Sequence, residues 1–346
     1  MWAAIAAWDN SSSTMAAIDA VALSSTVEIV QSTEKPVDKE DKPDRFTPKP
    51  SVQLSTTDIP CDDCQNVTVD PDTKLQNIMG FGGAFTDSVA HVFNELHSNL
   101  QDQVVELLWG STGQQYSLGR LTIGSTDFST TVYNYNPTAD DTNQTKFSIE
   151  HDEKQIVPLI KLAQAAAANR SATNQQLNFV SSPWSPPGWM KRPYLSTKGT
   201  MRNSAKPGMI GRPDIFQSYA LYTSKYLSAY KEHGINVNMV TIQNEPDSAD
   251  HMFPVAYPAC NFNGTGEGEY LRDYLGPQLR TDHPDVKIYI HDGQKFHDVP
   301  ILTRVSAILD ALGDKADDYV DGVAFHWYGN NLKNYQFLDA LHSAHP

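Results

Sequence analysis

Cysteine is scarce, with three in 346 residues, which excludes a scaffold built on disulfides. Two of the three make up Cys61-Asp62-Asp63-Cys64, a spacing shared by redox dithiols and by half of a zinc site. No second CxxC or HxxxH follows it, so the pair is read as a local disulfide or as idle thiols, and Cys260 is left over. Basic residues are also in short supply: 26 Lys and Arg stand against 41 Asp and Glu, a formal charge of −15. Nucleic acids and anionic bilayers bind basic surfaces, so no nucleic-acid partner is expected. No apolar run reaches the roughly 18 residues of a membrane-spanning helix. The first residues, Met1-Trp2-Ala3-Ala4-Ile5-Ala6-Ala7-Trp8, lack the basic start of a secretory signal.

What is present divides the chain into two regimes. From Ser32 to Ser51 the sequence is almost all Lys, Asp, Glu, Pro, Ser and Thr, too polar to offset its ordering entropy. Residues 1–60 are therefore expected to be a disordered, low-complexity arm, and 61–346 a folded domain. Val67 and Val69 alternate with polar residues, as in a short edge strand. Beyond them a strand–helix rhythm sets in, with apolar runs ending near Phe81, Ile123, Ser181, Gln243, Ile290 and His326. The clearest helix should run from Pro213 to about Lys231. Ile215, Tyr219, Tyr222, Tyr226 and Tyr230 would share one face, with Pro213 at the first position and Gly234 as the C-terminal cap. Ser98 to Gln101 reads as a capping box, and Pro158 places the regular part of the 151–168 helix near Val157.

Repeated βα units build a parallel sheet, either doubly wound or closed into a barrel. A doubly wound sheet gathers its function at one switch point, usually with a Gly-rich phosphate loop, but Gly80-Phe81-Gly82-Gly83 does not fit GxGxxG. Here nearly every candidate strand ends in polar and aromatic residues, and only a barrel brings all those ends to one face.

The strand ends carry the chemistry. The first delivers Thr86-Asp87, where the acid either meets a ligand or caps a helix. The second brings Arg120, costly inside a barrel unless it orients a carboxylate, and then Asp127. The third runs into Ser182-Pro183-Trp184-Ser185-Pro186-Pro187-Gly188-Trp189, a proline-fixed loop presenting flat apolar rings to which sugars stack. The fourth ends in Asn244-Glu245-Pro246. A carboxylic acid there can protonate a leaving glycosidic oxygen, and the neighbouring amide can hold a sugar hydroxyl. Pro246 should confine Glu245 to extended backbone. The fifth ends in His291-Asp292-Gly293-Gln294, the sixth in His326-Trp327-Tyr328.

In order and spacing these motifs resemble glycoside hydrolase family 30, and within it the glucosylceramidase-like branch. The resemblance runs from about Asn66 to the last residue. It implies a (β/α)8 TIM barrel, here about six βα units, to which the family adds a β-sandwich. It implies a retaining β-glycosidase, without metal or organic cofactor, with Glu245 as general acid/base. Asn244, Asp127 and Trp184 would bind the sugar with His326, Trp327 and Tyr328, the last hydrogen-bonding the nucleophile, while Arg120 would support the carboxylates. The fifth strand departs from the pattern, since a pair of acids is common where His291-Asp292 stands. The implied nucleophile, a Glu ending the seventh strand, has no counterpart, because Glu267 and Glu269 fall too early. The chain is thus expected to be truncated before that strand. The expected substrate is glucosylceramide, with contact at a membrane surface. The alternatives are an endo-β-1,6-glucanase or xylanase acting on a glycan, and an inactive sugar- or glycolipid-binding protein. The sequons at Asn10, Asn66, Asn143, Asn169 and Asn263, with the family, imply a secreted or lysosomal glycoprotein.

Overall fold

The computed structural model describes residues 26–31, 47–53, 70–170, 176–192, 208–246, 257–296, 300–327 and 332–346. Among them are eight strands: β1 (Thr26–Gln31), β2 (Thr47–Gln53), β3 (Gly82–Phe85), β4 (Leu118–Ile123), β5 (Asn178–Pro183), β6 (Met239–Thr241), β7 (Lys287–Gln294) and β8 (Gly322–His326). The first two pair antiparallel, with a bulge between Val27 and Ile29, and fall in a different compact unit from the rest. Both strands lie within the stretch 1–60 that the sequence reads as a low-complexity arm. Thr26, Val27, Ile29 and Val30 are β-branched and suit a pleated backbone. The remainder of that stretch lies outside the described residues, as do Cys61, Cys64, Val67 and Val69.

Strands β3 to β8 form one parallel sheet in strictly sequential order. A doubly wound sheet would reverse its order at a switch point; sequential order is that of a (β/α)8 barrel, of which six units are here. The period of two along a strand then sorts the side chains. Leu118, Val180, Met239 and Tyr289 meet on the inner face as a small apolar layer with Ala324. Leu121, Phe179, Val240, Ile288 and Ile290 face outward into the main core shared with the helices. Two residues beyond the inner apolar layer, the same face turns polar, with Arg120, Ser182 and Thr241.

The helix Pro213–Glu232 matches the sequence reading closely. Ile215, Tyr219, Tyr222, Tyr226 and Tyr230 are all buried on its inner side, Pro213 opens it, and Gly234 has the left-handed φ of 67°. Ile235 N–H donates to Tyr230 O and Gly234 N–H to Lys231 O, satisfying carbonyls that a helix end otherwise leaves bare. The 151–168 stretch is two helices, Glu150–Lys154 and Ile156–Ala168, with Pro158 in the first turn of the second. The capping box does not form. His97 takes the cap position of Ser98–Trp109 without a side-chain bond, and Gln101 donates to Phe93 O instead.

The first barrel strand also differs. Ile78 and Phe81 are exposed, and the strand begins at Gly82, just past the apolar run that ends near Phe81. The reason is close approach: a Cβ on Gly82 would stand 1.6 Å from Leu118 O, the carbonyl of its paired residue. Glycine alone lets β3 pair there. Gly82→Ala should therefore lower the unfolding free energy by about 3 kcal/mol. An unchanged urea midpoint would contradict the close approach.

Candidate active site

The polar ends of the inner face converge. Asp292, only 5% exposed in its side chain, accepts from Arg120 Nη2 at 2.9 Å and from the Thr241 hydroxyl at 2.7 Å. The Thr241 hydroxyl also lies 2.8 Å from Ser182 Oγ, so the inner residues of β4, β5, β6 and β7 form one cluster. Arg120 Nη2 reaches Asn244 Oδ1 at 2.9 Å, and its guanidinium lies 5.0 Å from the Trp184 ring centroid. Trp184 Nε1 donates to Asp127 Oδ1 at 3.1 Å. His326, ending β8, stands between two carboxylates: Nε2 lies 2.9 Å from Asp292 Oδ1 and Nδ1 2.9 Å from Glu245 Oε1. Arg120 and His326 thus both contact the Asp292 carboxylate, and His326 also reaches Glu245.

Electrostatics follow from these contacts. Burial pushes the Asp292 carboxyl up, but the Arg120 guanidinium, His326 and Thr241 overcome it and hold it well below the usual carboxylate range. Burial lowers the His326 imidazole, and the bonds to Asp292 and Glu245 reverse that and raise it. An acceptor on each ring nitrogen is fully served only by the imidazolium, which donates twice. Desolvation raises the Asp127 carboxyl, with the Glu245 charge adding to the effect.

Backbone strain gathers at the same place. Glu245, His291 and Asp292 have φ of 44°, 77° and 44°, a left-handed region that side chains with a Cβ avoid. The expectation that Pro246 keeps Glu245 extended is therefore corrected. Glu245 N–H donates to Asp292 O at 2.9 Å and its carboxylate is held by His326, so tertiary bonds override the local preference. On β7 the register to β8 shifts between His291 and Gly293. This bulge reverses side-chain parity: strict alternation from inward Tyr289 would send Asp292 outward, and the extra residue turns it in. Glu267, 1% exposed, braces the bulge by accepting from His291 N–H at 2.8 Å and pairing with Arg304 at 2.8 Å.

Asp87 does not cap its helix. Thr86 does so, accepting from Val89 N–H, while buried Asp87 accepts from Ser129 Oγ at 2.5 Å and Thr130 N–H at 3.3 Å. It anchors the loop that carries Asp127. Trp327 is 56% exposed, and its carbonyl accepts from buried Lys295 at 2.6 Å. Tyr328 lies outside the described residues. In the sequence reading, Asp292 and Ser182 stand inside the strand-end motifs without a role of their own, and Thr241 lies just before one.

The profile of the glycosyl hydrolase family 30 TIM-barrel domain matches residues 78–346, most of the chain. The chain belongs to glycosyl hydrolase family 30. It is 32% identical over 266 residues to the lysosomal acid glucosylceramidase of Mus musculus, covering 76% of this chain and 48% of that protein. To an endo-1,6-beta-D-glucanase of Neurospora crassa it is 31% identical over 284 residues, 81% of this chain and 54% of the other. Among solved structures, SrfJ from Salmonella typhimurium superposes with a TM-score of 0.69 at 29% identity, covering 87% of this chain and 61% of that one. The chain spans about half the length of the curated relatives it matches.

Proposed function

We propose that the full-length protein is a retaining β-glycosidase that cleaves β-glucosidic bonds, glucosylceramide foremost, with Glu245 as general acid/base. The observation that carries this reading is the ion-paired chain ending on Glu245. Arg120, Asp292 and His326 hold one another inside the barrel, and Glu245, at 14% side-chain exposure against 5% for Asp292, is the carboxyl that opens toward the strand ends. It protonates the departing oxygen in the first step and takes a proton from water in the second. Asn244 has its Oδ1 engaged by Arg120, so its amide presents N–H donors to a sugar hydroxyl. Asp127 accepts from hydroxyls beside the Trp184 ring. Tyr328 would hydrogen-bond the nucleophile, the second carboxyl of a retaining pair, which the resemblance puts on a seventh strand next to β8.

A lipid-linked glucoside is favoured by aromatic side chains exposed beside the sugar-binding residues: Phe128 at 50% next to Asp127 and Trp327 at 56% next to His326. Such groups suit contact with an apolar aglycone at a membrane surface. The endo-1,6-glucanase among the relatives supports a second reading, in which the same rings stack on a glycan chain. Exposed Asn143 and Asn169 leave two sequons accessible, in keeping with passage through the secretory pathway to the lysosome or outside.

A substrate panel separates the two readings. Full-length protein should release glucose from glucosylceramide in mixed micelles at a kcat/KM at least tenfold above that on β-1,6-gluco-oligosaccharides or xylo-oligosaccharides. Cleavage of the oligosaccharides alone would sink the ceramide reading.

A further inference from the structure

Outside the site, a buried polar cluster centres on Asp152, in the short helix Glu150–Lys154. Its side chain is fully buried, and three tyrosine hydroxyls from two elements converge on it. Tyr133 donates to Oδ1 at 3.0 Å, and Tyr135 and Tyr230 donate to Oδ2 at 2.5 and 2.8 Å. His151 adds a stack on the Tyr133 ring, at 3.6 Å between centroids. A carboxylate has no need of three tyrosines merely to be buried, and two of the three lead elsewhere. Tyr135 uses its hydroxyl oxygen to accept from Gly124 N–H at 2.9 Å, at the point where β4 gives way to the loop carrying Asp127. Tyr133 grips the next residue with three bonds. Its carbonyl accepts from Ser125 N–H at 3.2 Å and from the Ser125 hydroxyl at 2.9 Å, and its own N–H donates to Ser125 Oγ at 3.1 Å. Beyond Asp127 the loop is closed by Thr126 N–H to Ser129 Oγ at 2.8 Å and tied to Asp87 through Ser129 and Thr130. Asp127 therefore sits on a short span held at one end by Asp87, which opens the helix after β3, and at the other by two tyrosines that share one carboxylate.

We infer that Asp152 is a positioning residue: through Tyr133 and Tyr135 it fixes Gly124 and Ser125, and so sets the direction from which Asp127 meets the sugar. The inference rests on the reading of Asp127 as a substrate-binding residue. A network of this kind locks a rotamer and a loop together, and its members couple energetically rather than adding. Asp152 touches neither substrate nor the Glu245 cluster, so its effect on the reaction must pass through the loop.

A double-mutant cycle on full-length protein, with an aryl β-glucoside as the probe, tests it. Asp152→Asn should lower kcat/KM about tenfold in the wild-type background and less than about twofold when Asp127 is already alanine. Tyr133→Phe keeps the backbone bonds to Ser125 and removes only the tie to Asp152. It should show the same pattern at about threefold, and it carries the test if Asp152→Asn does not fold. Thermal stability should fall equally in both backgrounds, which a purely structural role would also produce. The collapse of the kinetic effect on the Asp127→Ala background is what such a role would not give. Equal losses of kcat/KM in both backgrounds overturn the inference. If Asp127→Ala alone leaves kcat/KM unchanged, the substrate-binding reading of Asp127 fails first and takes this inference with it.

Discussion

Glu245→Gln in the full-length protein is expected to slow hydrolysis of a substrate with a poorly acidic leaving group by about 10³-fold, within the range that positioned acid catalysis supplies. The amide preserves shape, so folding should be unaffected, but it cannot give a proton to the departing oxygen. Aryl glucosides whose phenolate leaves without help behave differently. Their first step should survive in large part, while the second loses its base, so the glycosyl-enzyme accumulates and a burst of phenolate precedes a slow steady state. Stopped-flow release from a dinitrophenyl β-glucoside against turnover of the natural substrate reads both effects. Undiminished turnover of the natural substrate would overturn the assignment.

Arg120→Met is expected to cost about 3 kcal/mol of folding stability at neutral pH, because it leaves Asp292 buried without its guanidinium. Thr241 and His326 still bond the carboxylate, which keeps the loss at the lower end for a broken buried pair. The pH dependence has a definite sign. Asp292 titrates in the fold below its unfolded value, near about 3.9, so its contribution is present above that pH and fades as pH falls below it. His326 is raised, so its contribution is present below about 6.5 and fades as pH climbs through the folded value. The wild-type cluster is therefore most stabilising between about pH 4 and 6.5. The gap between wild type and Arg120→Met should narrow as pH falls below about 4. Guanidinium unfolding at pH 7, 5 and 3 measures this, and a gap that stays constant across the three would show that Arg120 does not act through Asp292.

Much of the framework is legible in the sequence because it rests on periodicity. The tyrosine face of Pro213–Glu232 repeats at three and four, and its proline and glycine bound it where local chemistry dictates. Glu245, Asn244, Arg120, His326 and Trp184 stand out because polar or aromatic residues end apolar strands, and in a barrel such ends meet. What stays hidden departs from local rules under tertiary control. Asp292 points inward only because a one-residue bulge reverses the parity of β7, and no alternation pattern announces that. Gly82 and Gly83 follow the apolar run that ends near Phe81, yet β3 is built from them, and the neighbouring carbonyl leaves no room for a Cβ on Gly82. Glu245 takes a left-handed backbone against the restriction of the following proline, since its N–H and carboxylate are both claimed by residues far along the chain. The Asp152 cluster joins Tyr133, Tyr135 and Tyr230 across a separation of up to 78 residues, beyond the reach of any spacing rule.

Azide rescue of Glu245→Ala in the full-length protein tests the role of this residue most directly. With the acid/base removed, an activated aryl β-glucoside still glycosylates the nucleophile, and azide, which needs no base, attacks the sugar from the vacated face. The product is then β-glucosyl azide, formed with two inversions and so with net retention. The proposed role predicts restored turnover and the β-azide in the proton NMR spectrum. The α-azide would instead mark Glu245 as the nucleophile, by a single displacement, and contradict its assignment as the acid/base.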